Sequence, residues 1–153
     1  MSLLKNKKGL IMGVANERSI AWGISKKLAS EGAELAFTYV GDSLKKRVLP
    51  LASSLGSKLT IDCNVENEQQ IKDTFLQIKN NWGNIDFVVH SVAFSDKSEL
   101  SGEYLSTSRN NFLNSMLISC FSFTEIARNA APLMKEGASM LTLTYESSKV
   151  IPN

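Results

Sequence analysis

The chain has 153 residues, of which 43% are hydrophobic and 21% charged, and a net charge of +2. That is one domain's worth of chain, read here as a single domain over 1–153 and long enough to bury about two thirds of its unfolded surface. The charge excludes nucleic acid and anionic membrane as expected partners, because the short Lys45-Lys46-Arg47 cluster reads as solvated helix face. Cys63 and Cys120 stand alone in apolar surroundings, the usage of a reduced, cytoplasmic protein, and no metal site is expected. No apolar run is long enough to cross a bilayer, and a strand follows the N-terminus with no room for a signal peptide.

In chain order, residues 10–12 are an apolar run, followed by the small-residue turn Gly13-Val14-Ala15-Asn16 and helix-like sequence from Ser19. Strand, tight turn, helix is how a mononucleotide-binding unit opens, because a helix N-terminus presents unpaired N–H groups and a positive dipole end to a pyrophosphate. Gly13 lets the chain leave the strand sharply and Ala15 permits close ligand approach. Ser19 is expected to cap the helix and to offer its hydroxyl to a phosphate oxygen. Gly23 is expected to allow close helix–strand packing. The pattern is Gly13-x5-Ser19-Ile20-Ala21-x-Gly23 rather than G-x-G-x-x-G, so read alone it suits a structural joint as well as a cofactor site.

Residues 19–31 predict a helix with Ile20, Ile24, Leu28 and Ala29 inward and Gly32 as its stop. A buried strand follows at 34–39, then a helix over 43–55 capped by Asp42 and kinked or shortened by Pro50. Residues 58–61 predict a third strand, 67–82 a helix with Ile71, Phe75 and Ile78 inward, and 85–90 a fourth strand. A polar loop over 91–103 precedes a long helix over 107–134 and a fifth strand over 139–144. Strands alternating with helices give an α/β, Rossmann-like, doubly wound parallel sheet. Its ligands bind beyond the strand C-termini, at the switch point between the first and fourth strands. The long helix carries apolar residues around most of its circumference, from Phe112 to Ala130. Deep burial and a subunit interface both fit, and an outer-layer helix without a wet face favours the interface. His90, ending an apolar strand, reads as a packed residue rather than a base, and Tyr104 as loop packing.

Four segments in order then bear a resemblance. They are Gly13-Val14-Ala15-Asn16-x-Arg18-Ser19-Ile20-Ala21-Trp22-Gly23, Gly32-Ala33-Glu34-Leu35-Ala36-Phe37-Thr38-Tyr39, His90-Ser91-Val92-Ala93-Phe94 and Leu141-Thr142-Leu143-Thr144-Tyr145. Together they resemble bacterial enoyl-acyl-carrier-protein reductases, divergent short-chain dehydrogenase/reductases. The resemblance implies NADH-dependent reduction of a trans-2-enoyl thioester on acyl carrier protein in fatty-acid elongation, by a homo-oligomer, a tetramer in the family. It implies that Gly13, Ala15, Ser19 and Ile20 take the pyrophosphate and nearby ribose, Val40 the adenosine ribose, Asn64 and Val65 the adenine, and Ser91, Val92 and Ala93 the nicotinamide-side ribose. Ser95 would lie at the substrate mouth and Tyr145 beside the acyl group as a catalytic residue.

No acidic residue closes the second strand, and Arg18 and Lys45 are candidates for a 2′-phosphate, so NADH over NADPH rests on the resemblance. The family's second tyrosine and its lysine follow a Pro-Asn-like dipeptide, and this chain reads Ile151-Pro152-Asn153. The domain is therefore expected to be truncated and inactive alone. Tyr145-x3-Lys149 imitates the catalytic pair of ordinary short-chain dehydrogenases, but it is expected at a strand end and not on a helix. The competing readings are a non-catalytic dinucleotide-binding or assembly module and another short-chain reductase, such as a 3-oxoacyl thioester reductase.

Overall fold

The structure is a computed structural model that describes residues 2–145. Five strands form one all-parallel sheet in the order β3-β2-β1-β4-β5: β1 Lys8–Met12, β2 Glu34–Tyr39, β3 Leu59–Asp62, β4 Ile85–His90 and β5 Met134–Thr142. β1 lies at the centre because its run Gly9-Leu10-Ile11-Met12 is buried on both faces, as a strand covered by helices on either side must be. Residues of alternate parity then feed two cores. Leu10 and Met12 face α3 (Glu68–Trp82) and the later helix α5 (Ser122–Ala130), through Ile71, Phe75, Ile78, Ile126 and Ala130. Ile11, with Leu35 and Phe37, faces α1 (Ile20–Ser30) and α2 (Gly41–Ser54) through Ala21, Trp22, Val48 and Ala52. The sequence-derived doubly wound architecture and its switch point between β1 and β4 are those observed.

Several local expectations are corrected. α2 starts at Gly41 with Val40 at its cap position, so Asp42 lies in the first turn instead of capping it. Pro50 neither stops nor shortens this helix, which continues to Ser54. Both Pro50 and Lys46, whose carbonyl loses its partner, are exposed, so water can serve that carbonyl. Ile20 is 67% exposed, and the buried face of α1 is Ala21, Trp22 and Ser25. Gly23 is exposed, and a methyl group there would meet nothing within 4 Å, so it serves no close packing.

The long helix is not continuous. α4 (Arg109–Met116) passes into a π-helical turn, Leu117–Phe121, then α5, then a 3₁₀ turn Ala131–Leu133, and Met134 already belongs to β5. Regular pairing of β5 with β4 resumes at Ser139, after an irregularity, and the strand ends at Thr142. Ile118, Ile126 and Ala130 are buried, whereas Phe112, Leu113, Met116 and Phe121 stand about half exposed. Burial within its own domain therefore does not account for that second set. The loop before α4 holds two 3₁₀ turns, Lys97–Glu99 and Tyr104–Ser106, and Tyr104 is exposed rather than packed. Among the described residues no helix is long and apolar enough to cross a membrane.

Candidate functional site

The C-terminal ends of β1 to β4 open onto a common cavity of about 400 Å³. β1 contributes Gly13 to Ala15, β2 Thr38 to Val40, β3 Cys63 to Glu66, and β4 Ser91 to Phe94, with Ile118 of the π turn as a further wall. Among the described residues Glu66 is the one charged side chain in this lining. Burial pushes the Cys63 thiol pKa up, which makes it an inert wall residue.

The β1–α1 turn is built by side chains where a dinucleotide fold more often uses glycine. Ser19 Oγ accepts from the backbone N–H of Ala15 at 3.0 Å and of Asn16 at 3.1 Å, and Asn16 Oδ1 accepts from Arg18 N–H at 2.8 Å. Ser19 has the extended backbone of a cap residue, but its side chain makes no cap bond to α1. With both lone pairs engaged, its remaining hydrogen-bonding capacity is the O–H itself, available to an acceptor outside the turn. Gly13, at φ +96°, is the tight point: a Cβ there would lie 1.8 Å from the Ser91 carbonyl oxygen. Next to it the Ser91 N–H donates to the Met12 carbonyl at 3.0 Å, so the turns after β1 and β4 are closed against each other.

His90 lies beneath this junction, fully buried. Its Nε2 is 2.8 Å from Ser122 Oγ and its Nδ1 3.1 Å from Thr142 Oγ1. Ser122 gives its one proton to the Ile118 carbonyl at 2.6 Å, so the network assigns Nε2 as donor and Nδ1 as acceptor. Burial lowers the His90 pKa and keeps it neutral. The residue ties β4 to α5 and β5, which is the packing role its position suggested. The π turn belongs to the same arrangement: it sets Ser122 at His90 and Ile118 at the cavity, while Ser119 Oγ binds both the N–H and the carbonyl of Phe94.

A sequence model described as "Enoyl-(Acyl carrier protein) reductase" matches residues 13–153, nearly the whole chain. The chain belongs to this family. A curated relative, enoyl-[acyl-carrier-protein] reductase [NADH] 2 of Rhizobium meliloti, is 57% identical over 99% of this chain and 57% of its own length. The crystal structure of FabI from Candidatus Liberibacter asiaticus superposes with a TM-score of 0.95 at 57% identity, covering 99% of this chain and 59% of that one. The reductase of Anaplasma phagocytophilum, solved in complex with NAD, superposes with a TM-score of 0.92 at 54% identity, covering 97% of this chain and 58% of that one. The chain thus spans a little under three fifths of the length of these relatives.

Of the residues singled out by resemblance, Gly13, Ala15, Val40, Asn64, Val65, Ser91, Val92 and Ala93 line the one cavity. Four lie outside its walls. Ser19 stands behind the turn and Ile20 projects from the first turn of α1. Ser95 is held by Asn111, whose Nδ2 donates to Ser95 Oγ at 3.2 Å and whose Oδ1 accepts the Asp96 N–H at 2.8 Å. Tyr145 is 96% exposed, three residues beyond the end of β5. The Lys149 decoy and the Ile151-Pro152-Asn153 end lie outside the described residues. Sequence reasoning missed Met12, Thr38, Leu44, Glu66 and Ile118 as walls. For Ile118 the only signal was excess apolar character on a helix, which does not say where a π turn re-aims a side chain.

Proposed function

We propose that this chain supplies the nucleotide site of an NADH-dependent enoyl-acyl-carrier-protein reductase of fatty-acid elongation, acting in the cytoplasm. The observation that carries the reading is the convergence of four strand ends on one cavity at the β1/β4 switch point, with a spare hydroxyl proton on Ser19 beside it. These residues fit a dinucleotide. The Gly13 turn leaves no room for a side chain and brings backbone to the surface where a pyrophosphate sits, at the start of α1. Gly13, Ala15, Ser19 and Ile20 then hold the pyrophosphate and nearby ribose, Val40 packs on the adenosine ribose, and Asn64 and Val65 hold the adenine. Asn64 Oδ1 is taken by the Glu66 N–H at 3.1 Å, which leaves its amide N–H groups for the base. Ser91, Val92 and Ala93 hold the nicotinamide-side ribose.

When bound, the nicotinamide supplies a hydride for the β-carbon of a trans-2-enoyl thioester. Negative charge then develops on the thioester oxygen, and a preorganised hydroxyl stabilises it. By family resemblance Tyr145, beyond β5 at the strand C-terminal edge, stands beside the acyl group, with Ser95 at the substrate mouth. Titration of the chain with NADH tests the reading. Saturable binding that Gly13→Ala abolishes is expected, and binding unaffected by that substitution argues against the cavity as the site.

The half-exposed Phe112, Leu113, Met116 and Phe121 support a homo-oligomer, a tetramer by family resemblance, with α4 and the π turn at a subunit contact. Light scattering of Leu113→Glu against the unmodified chain tests that part, and an unchanged mass for an oligomeric parent counts against it.

A further inference from the structure

We propose that Asp62 makes this site select NADH against NADPH. The inference rests on the nucleotide-site reading above and adds a specificity-determining residue to it. In dinucleotide folds an acidic side chain at the end of the second strand ordinarily meets the ribose 2′-hydroxyl. Here that position carries Val40, and the neighbouring strand supplies the carboxylate. Asp62 is the last residue of β3 and the register partner of Tyr39, and its Oδ1 accepts from the N–H of Gly41, the first residue of α2, at 3.3 Å. Val40, the residue before Gly41, and Cys63, the residue after Asp62, both line the cavity. The carboxylate therefore stands one residue from the cavity wall, on a helix start whose N–H groups and dipole would otherwise draw an anion.

Asp42 adds a second negative charge in the same first turn. Of the nearby cations, the Lys45 ammonium is engaged over the ring of Tyr39, a residue of the cavity wall, 6.0 Å from its centroid. Arg18 lines a separate recess with Arg47, Pro50 and Leu51. A 2′-phosphate carries close to two negative charges and would have to displace Asp62 from Gly41 or lie beside it, whereas a 2′-hydroxyl meets neither obstacle.

The test is the ratio of NADPH to NADH dissociation constants, measured by titration to millimolar nucleotide for the unmodified chain, Asp62→Asn and Asp62→Ser. Asparagine keeps an acceptor for the Gly41 N–H and removes the charge. Serine removes the charge with a smaller side chain, and circular dichroism verifies the fold of each. Both substitutions are expected to lower the ratio by roughly tenfold, as expected from removing one unit charge near a phosphate at the surface. In the unmodified chain the ratio is expected to shrink with added salt, and in the variants to respond much less. A purely structural cap on α2 would change melting temperature and leave the ratio alone. NADH binding with an unchanged ratio in both variants overturns the role of Asp62 and leaves the nucleotide site standing. NADPH binding as tightly as NADH to the unmodified chain does the same. Binding of neither nucleotide overturns both.

Discussion

Substitution of Gly13 by alanine perturbs the point at which the site and the core depend on the same atoms. Its φ of +96° is a conformation that an L-residue adopts at a cost of about 1–2 kcal/mol. The added Cβ would also lie 1.8 Å from the Ser91 carbonyl oxygen and 2.4 Å from its carbon, both backbone atoms that cannot rotate away. Restoring ordinary contact means moving the ends of β1 and β4 apart by about 1.5 Å. Overpacking of that kind costs about 1–3 kcal/mol, and the adjacent 3.0 Å Ser91-to-Met12 hydrogen bond, worth about 1 kcal/mol, is lost with it. The total is about 3–6 kcal/mol, a large share of the roughly 5–15 kcal/mol that holds a domain folded. In a chain of this size it lowers Tm by about 10 °C. Thermal unfolding followed by circular dichroism, with and without NADH, reads both effects: a lower midpoint and no upward shift on adding nucleotide. A Gly13→Ala chain that melts within about 2 °C of the parent and is still stabilised by NADH would refute the claim that this contact closes the site.

Three further outcomes are expected. Ser19→Ala leaves the Ala15 and Asn16 N–H groups without their acceptor and removes the proposed phosphate donor, so about 1–2 kcal/mol of stability is lost, read by urea denaturation, and NADH affinity falls. Gly23→Ala, on the exposed face of α1 with nothing within 4 Å, raises stability by about 0.5–1 kcal/mol, and a loss would contradict the open face described here. His90 is held neutral in the fold while the unfolded chain takes up a proton near pH 6.5, so its contribution is present above that pH and lost as pH falls through 6.5 toward the depressed folded pKa. Denaturant melts between pH 7.5 and 5 should show that decline at up to about 1.4 kcal/mol per pH unit. The carboxylates with lowered pKa, Asp86 among them, act only near pH 4 and below, because their stabilisation is present above the unfolded value and disappears as they protonate. A pH-independent melt over that range would remove His90 from the account.

Much of the cavity lining was legible because apolar strands and the loops after them sit in plain sequence order. The apolar character of residues 10–12 and of most of 85–90 marked both as buried strands, and the rule that ligands sit beyond strand C-termini did the rest. The start of α3 was legible too, though not that Asn67 caps it by accepting from the Gln69 and Gln70 N–H groups. Helix interiors were less so. Pro50 stays inside α2 because solvent serves the freed carbonyl, a matter of exposure and not of local propensity.

By itself the sequence determined the element order, the parallel sheet and the loops that meet at its rim, because hydrophobic periodicity and chain connectivity act locally and leave few topologies open. Tertiary structure alone decided which way individual groups turn. It set Ser19 to bracing a turn instead of capping its helix, wound residues 117–121 into a π turn so that Ser122 reaches His90, and brought Asp62 across from β3 to the start of α2. The Ser122 and Asp62 contacts join groups on different elements. Their partners are fixed by how strands and helices pack, which no local pattern encodes.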